Sequence, residues 1–365
     1  MKIAVVGATG LVGGVMLKVL EERGFADEEI IAAASLKSKG KSIDFHGRRL
    51  TVMSVDDAIA MRPDFAIFSA GAAASRQYAP LFAAAGTIVI DNSSAWRKDA
   101  DKPLVVPEIN FDAIKPDDRI IANPNCSTIQ MVLAISGLQQ RYGIKRLVVS
   151  TYQSITGTGI AAVRQLQEEE AWHARQTQAL GHDAPSLLAD MPAHSQAYPH
   201  QIFRNLFPHG GDFQPDGYTT EEQKLVDETR KILGDPTIAI TATVARVPVM
   251  GGHSEAVNVE LREEYDLDEV RQIIASTPGV VLLDNPSQNI YPMPVDSQNH
   301  DEVFVGRLRR DLSQPCTLNL WVVADNLRKG AATNAIQIME KLSNFSHSAH
   351  VVSDLQSETA YYKDF

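Results

Sequence analysis

The chain has 365 residues, 44% of them hydrophobic and 22% charged, with a formal net charge of −11. That length allows two domains with separate cores, and no apolar run approaches the roughly 18–20 residues of a membrane span. The acidic balance argues against a nucleic-acid partner, so any bound anion must be held by a local cluster of cations.

The first 125 residues alternate short apolar runs with helical periods. Ile3–Val6, Ile30–Ala34, Phe65–Ser69 and Ile88–Asp91 read as buried parallel strands, with helices expected over Val12–Glu22 and Ser75–Ala85. This βαβ order predicts an α/β fold with a Rossmann-type doubly wound sheet. After the first strand comes Gly7-Ala8-Thr9-Gly10-Leu11-Val12-Gly13. Its GxxGxxG spacing is a variant of the dinucleotide fingerprint: glycine permits a tight turn, close approach of backbone to pyrophosphate and close helix–sheet packing. The second strand ends in Ala34-Ser35 without the carboxylate that binds ribose hydroxyls in NAD-specific folds. Lys37, Ser38 and Lys39 follow, and hydroxyls with cations suit the 2′-phosphate of NADP. Ala70-Gly71, at the end of the strand from Phe65, is also expected to face the cofactor.

Arg119–Ala122 reads as a further strand, followed by Asn123-Pro124-Asn125-Cys126-Ser127-Thr128 and a helical period from Ser127 to Tyr142. Cys126 is one of two cysteines, so no disulfide framework exists. Its place at a helix N-terminus, among free N–H groups and the positive end of the dipole, favours a thiolate nucleophile. Beyond this helix, strands are expected at Arg146–Gln153, Ile238–Arg246, Ser254–Leu261, Val303–Asp311 and Leu318–Ala324. Helices are expected at Ile160–Leu180, Thr220–Leu233 and Leu267–Ser276. Strands that follow one another predict an α+β domain with a mixed, largely antiparallel sheet. Asp183 to Gly217 reads as irregular, and Lys329–Leu342 as an amphipathic helix returning to the first domain. The domains expected are therefore 1–125 with 326–365, and 126–325. His173, His182, His194, His200 and His209 lack metal-ligand spacing, so no metal is expected. Few cysteines and no targeting segment point to the cytoplasm.

Three later segments carry polar groups in suggestive places: Tyr152-Gln153-Ser154-Ile155-Thr156-Gly157-Thr158-Gly159, Glu221-Glu222-Gln223-Lys224, and Arg246-Val247-Pro248-Val249-Met250-Gly251-Gly252-His253-Ser254-Glu255. Singly each has a plain reading. Glu221 favours a helix N-terminus, Lys224 is a surface charge, Arg246 a strand-edge ion pair, and His253 a satisfied turn residue. Together GATGLVG, NPNCSTIQ, YQSITGTG, EEQK, RVPVMGGHSE and DNLRKGAATNAIQ resemble the aspartate-β-semialdehyde dehydrogenase family, in its order and with its spacings over nearly the whole chain.

The resemblance implies an NADP-dependent phosphorylating aldehyde dehydrogenase that interconverts L-aspartyl 4-phosphate and L-aspartate 4-semialdehyde through a Cys126 thioester. Its pathway leads to lysine or diaminopimelate, threonine and methionine, and its assembly is a homodimer. His253 would be the acid/base and Gln153 would orient the intermediate. Arg246 would hold the α-carboxylate, Glu221 the ammonium group, and Arg97 and Lys224 the phosphate, with Asn125 as an uncharged donor. On the cofactor side the family pattern maps onto Thr9, Gly10, Leu11, Val12, Lys37, Ser38, Gly157 and Asn326, beside Gly7, Ser35, Ala70 and Gly71. Two alternatives stand. One is another acyl-phosphate reductase, such as N-acetyl-γ-glutamyl-phosphate reductase; a carboxylate at Glu221 makes sense only for a substrate whose amine is free. The other is a non-catalytic NADP-binding regulator, against which the joint presence of Cys126, Gln153, Arg246 and His253 argues.

Overall fold

The computed structural model describes residues 1–180 and 197–344; His182, His194, part of the expected irregular stretch and the tail after Asn344 lie outside them. In the N-terminal part, β1 (Lys2–Val6), β2 (Glu29–Ala34), β5 (Met53–Ser54), β6 (Phe65–Phe68), β7 (Ile88–Asp91) and β8 (Ile120–Ala122) form a parallel sheet in the order β5-β2-β1-β6-β7-β8. The strands are buried on both faces, which is why they read as unbroken apolar runs. Ile3, Val5, Ile67 and Ile90 pack towards α1 (Leu11–Glu22). Ala4, Val6, Ala66 and Phe68 pack on the opposite face with Phe82 of α3 (Ala72–Ala84). The chain leaves β1 towards β2 on one side and reaches β6 on the other, so the loops after β1 and β6 part and open a crevice at the strands' carboxyl ends.

The hairpin β3 (Ser42–Phe45) and β4 (Arg48–Thr51), with α2 (Val55–Ala60), was not expected from the sequence. Its turn is His46-Gly47, both at positive φ, the backbone of a two-residue hairpin without the usual Asn-Gly pair.

The second sheet contains β9 (Ile144–Ser154), β10 (Ala239–Val247), β11 (His253–Leu261), β12 (Val280–Leu282), β13 (Val303–Arg310) and β14 (Thr317–Ala324), ordered β10-β9-β11-β14-β13-β12. The three central pairings are antiparallel and the two outer ones parallel, the mixed sheet expected. Val149, Val244, Val257 and Leu320 on one face bury Ile129 and Leu133 of α4 (Cys126–Tyr142), Leu225 of α6 (Thr220–Leu233) and Ile274 of α7 (Leu267–Ser276). The α5 helix (Ile160–Leu180) packs Leu166 with Tyr198, Ile202 and Phe207, and a short α8 (Pro294–Ser297) follows β12.

The last helix differs from expectation at its start. Residues Arg328–Ala332 form a wide π turn, and the α-helix, α9, runs over 333–344. The turn is anchored by Lys329, whose buried ammonium sits 2.8 Å from both oxygens of Glu108. It presses Gly330 against Cys126: a Cβ there would lie 2.8 Å from the cysteine Cβ, closer than carbon atoms approach. Ala335, Ile336 and Met339 of α9 then pack into the first domain's core, as the amphipathic pattern predicts. No helix among the described residues is long and apolar enough to cross a membrane.

Candidate active site

A cleft of about 320 Å³ lies where the two sheets meet. Cys126 is the first residue of α4, and its N-cap Asn125 accepts the N–H groups of Ser127 and Thr128 on Oδ1. Arg246 pairs with Gln153 across β10 and β9, and β11 begins at His253, one residue beyond the Ser254–Tyr152 pair. Strand alternation puts Arg246, Gln153 and His253 in one row on the face beneath α4. All three are buried, and His253 Nε2 lies 3.2 Å from Cys126 Sγ.

The packing around Cys126 works against the expected thiolate. Burial, and then the Glu221 charge, push the Cys126 thiol up to about 11, outweighing Arg246 and Arg97. Desolvation of a full charge exceeds what the first turn of a helix returns. Burial, and then Arg246, push His253 down to about 3, with Glu221 opposing. His253 Nδ1 accepts the backbone N–H of Ser154 at 3.0 Å. The neutral ring therefore carries its proton on Nε2, facing the sulfur. The resting pair is a neutral thiol beside a neutral imidazole.

Around this pair the expected charges are present, but partnered. Glu221 Oε1 accepts from Asn125 Nδ2 and Oε2 pairs with Lys224 Nζ, both at 2.7 Å. Burial alone would raise the Glu221 carboxyl, but Lys224, Arg246 and these hydrogen bonds hold it down at about 2. Arg97 pairs with Glu228 through Nη1 at 3.1 Å and donates to the Asn92 carbonyl from Nη2, leaving its buried Nε without a partner. So both expected phosphate cations already face carboxylates, and the Asn125 amide is engaged on both sides. Arg246 differs: its side chain makes one hydrogen bond, to the Ser154 carbonyl at 3.3 Å, and has no carboxylate partner among the described residues. Gln153 Nε2 donates to Ser127 Oγ at 2.8 Å, while its Oε1 is buried and unpaired.

Glu228 escaped the sequence reading. Its second oxygen accepts the Asn125 N–H at 2.6 Å, tying Arg97 to the start of the catalytic helix. The available signal was its spacing: residues 221, 224 and 228 share one face of α6.

The residues expected to hold a dinucleotide fall in two groups. Val12, Gly71, Gly157 and Asn326 line the cleft with Cys126. Thr9, Ser35, Lys37 and Ser38 gather beyond the end of β2, with Thr9 Oγ1 3.5 Å from Ser38 Oγ. Lys39 is engaged with Asp57 at 2.7 Å, whereas exposed Lys37 has no carboxylate partner among the described residues. Gly7 has φ of 94°, and a Cβ there would lie 2.3 Å from the Ser69 carbonyl oxygen, next to Ala70; one on Gly13 would lie 2.2 Å from the Gly7 oxygen. Gly10 caps α1 with no side-chain hydrogen bond, leaving the N–H groups from Leu11 onward without a side-chain acceptor. Asn326 Nδ2 is buried and unpaired, while its Oδ1 accepts from Thr156 and from the Gly252 N–H. An uncapped helix start, a glycine cradle and an orphaned amide donor fit a dinucleotide. Among the described residues no group of three or more His, Cys, Asp or Glu is placed to hold a metal.

A doubly wound nucleotide sheet facing a cysteine–histidine pair is the build of a dinucleotide-dependent dehydrogenase. Residues 2–116 match the family model "Semialdehyde dehydrogenase, NAD binding domain", and residues 135–329 match "Semialdehyde dehydrogenase, dimerisation domain". The aspartate-semialdehyde dehydrogenase of Aquifex aeolicus (strain VF5) is 48% identical over 93% of this chain and 97% of its own length. That of Legionella pneumophila is 46% identical over 94% and 95%. The crystal structure of aspartate semialdehyde dehydrogenase II from Vibrio cholerae superposes with a TM-score of 0.85 at 44% identity, covering 94% of this chain and 98% of that one; a structure of it complexed with ASA gives the same values. The chain belongs to the aspartate-semialdehyde dehydrogenase family.

Proposed function

We propose that the chain works as an NADP-dependent aspartate-semialdehyde dehydrogenase, reducing L-aspartyl 4-phosphate to L-aspartate 4-semialdehyde on the route to lysine or diaminopimelate, threonine and methionine. The observation that carries this reading is the Cys126–His253 contact, set among charges that match each end of a small amino-acid acyl phosphate. Arg246, without a carboxylate partner, takes the α-carboxylate as a two-pronged donor. Glu221, held ionised, takes the ammonium group. Arg97 and Lys224 exchange their intramolecular carboxylates for the phosphate, beside Asn125.

Substrate charges also bear on the resting pair: the ammonium group offsets Glu221, which raises both the Cys126 and the His253 pKa, and the carboxylate offsets Arg246, which lowers both. The sulfur then attacks the acyl carbon, the C–O bond to phosphate breaks with its electron pair going to the phosphate oxygen, and the departing phosphate takes the thiol proton. Cys126 holds the acyl group as a thioester, sulfur being both nucleophile and leaving group. Bound NADPH would supply the hydride that reduces it. His253 holds at Nε2 the proton that steadies the carbonyl oxygen as charge arrives there, and Gln153 fixes the acyl group through its amide.

NADP rather than NAD is favoured by Ser35, Lys37 and Ser38 at the end of β2, where a carboxylate would repel a 2′-phosphate. Residues 1–125 with 326–365 form the nucleotide domain, and residues 126–325 form the catalytic domain. A homodimer forms through the latter, and the enzyme is cytoplasmic. A reductase for N-acylated substrates would leave the buried Glu221 charge opposite an uncharged amide. The assay is reduction of NADP+ against NAD+ with semialdehyde and phosphate. Activity with NADP+ that Cys126→Ala abolishes is expected; unchanged turnover in that variant overturns the mechanism.

A further inference from the structure

Glu255 lies two residues beyond His253 on the same face of β11, opposite Thr151 of β9 and Val322 of β14. It has no solvent exposure, and neither carboxyl oxygen has a hydrogen-bond partner. The Gln130 and Ser127 side chains of α4 stand within hydrogen-bonding reach of it, and among the described residues no cation pairs with it. The titratable neighbours in the rows around it are His253 on its own strand, Cys126 on α4 and, one row on, Arg246 on β10. Five of the eleven unpartnered buried side-chain polar atoms among the described residues fall in this one patch: both Glu255 oxygens, Gln130 Oε1, Thr151 Oγ1 and Gln153 Oε1.

Burial without a counter-cation sets the state of this group. An ionised carboxylate here would carry a buried charge that no cation among the described residues compensates, which two neutral side chains do not offset. A neutral acid both donates and accepts. Ser127 Oγ already accepts from Gln153 Nε2 at 2.8 Å, so its own proton is free for the Glu255 carbonyl oxygen. Gln130 Nε2 already donates to the His253 carbonyl at 3.3 Å, so its Oε1 is free for the Glu255 O–H.

We propose that Glu255 is a positioning residue held as a neutral carboxylic acid, which locks Gln153 through Ser127 and the His253 backbone through Gln130, one on each side of Cys126. The proposal rests on the roles given above to Gln153 and His253. Its consequence is directional: with Ser127 accepting one Nε2 hydrogen, the Gln153 amide is held so that its other Nε2 hydrogen can be donated to the acyl oxygen of the bound substrate.

Infrared difference spectroscopy of the ligand-free protein against Glu255→Gln near neutral pH tests the protonation state without reference to turnover. The carbonyl stretch of a protonated carboxylic acid, lost in Glu255→Gln, is expected; its absence from the unaltered protein overturns the proposal whatever the substrate proves to be. Kinetics test the positioning. Glu255→Gln, neutral and still donor and acceptor, retains kcat within about threefold, while Glu255→Leu loses about 30-fold or more in kcat with substrate KM little changed. Equal losses in the two variants, or full kcat in Glu255→Leu, would contradict it; if Glu255→Leu fails to fold, the spectrum and Glu255→Gln still decide.

Discussion

The nucleotide and substrate sides of the cleft recognise charge by opposite means. On the nucleotide side the work falls to backbone: a loop in which Cβ atoms on Gly7 or Gly13 would collide with carbonyl oxygens, and a helix start without a side-chain cap. Of its side-chain groups, Ser35 and Lys37 stand in solvent, and Ser38 and Asn326 are buried but uncharged. On the substrate side, ionised side chains are buried and held against one another, Glu221 with Lys224 and Arg97 with Glu228. Backbone amides need no counter-charge in the absence of a ligand, whereas buried ions do. The substrate side must therefore carry its own neutralisation and release it on binding, and its residues are coupled where those of the nucleotide loop act singly.

Four experiments break or sharpen that contrast. The largest effect is expected from Cys126→Ala, a loss of turnover on the order of a thousandfold or more, with NADPH binding by fluorescence titration unchanged. Arg246→Lys keeps the charge but loses the planar fork. The semialdehyde KM should rise by roughly 10–100-fold while the NADP+ KM holds, and a uniform rise in both would deny the separation of the two sides. Glu228→Gln should raise the phosphate KM several-fold and lower the melting midpoint, because Arg97 loses its counter-charge and Asn125 its anchor together. The smallest effect is that of Lys37→Ala, about a tenfold rise in NADPH KM with NADH use unaffected. The pH dependence follows from the thiol. With Cys126 near 11, the thiolate fraction of the ligand-free protein grows about tenfold per pH unit below that value. Iodoacetamide inactivation should accelerate steadily from pH 7 to 9, and a plateau near pH 7 would restore the helix-end thiolate.

Much of this was legible in the sequence because the features are local. The apolar runs of the parallel sheet, the glycine loop and the start of α4 at Asn125-Cys126 each depend on a few consecutive residues, and their boundaries fall within a few residues of expectation. The His46-Gly47 hairpin was missed because its turn lacks the usual residues. The π turn was missed because what surrounds it is distant in sequence, Glu108 on Lys329 and Cys126 against Gly330. What works against the thiolate was missed for the same reason, since burial and Glu221 come from elements far along the chain. Residue identities named the charges around the cleft; only packing shows that Glu228 holds one of them and that Glu255 stands beneath without a cation among the described residues.

The central claim is that Cys126 carries the acyl group between cofactor and phosphate. The most direct measurement mixes protein, semialdehyde and NADP+ without phosphate, and follows NADPH together with intact and peptide mass. A burst of about one NADPH per site is expected, with an aspartyl adduct on the Cys126 peptide that disappears when phosphate is added. Turnover on adding phosphate, with neither burst nor adduct beforehand, would contradict it.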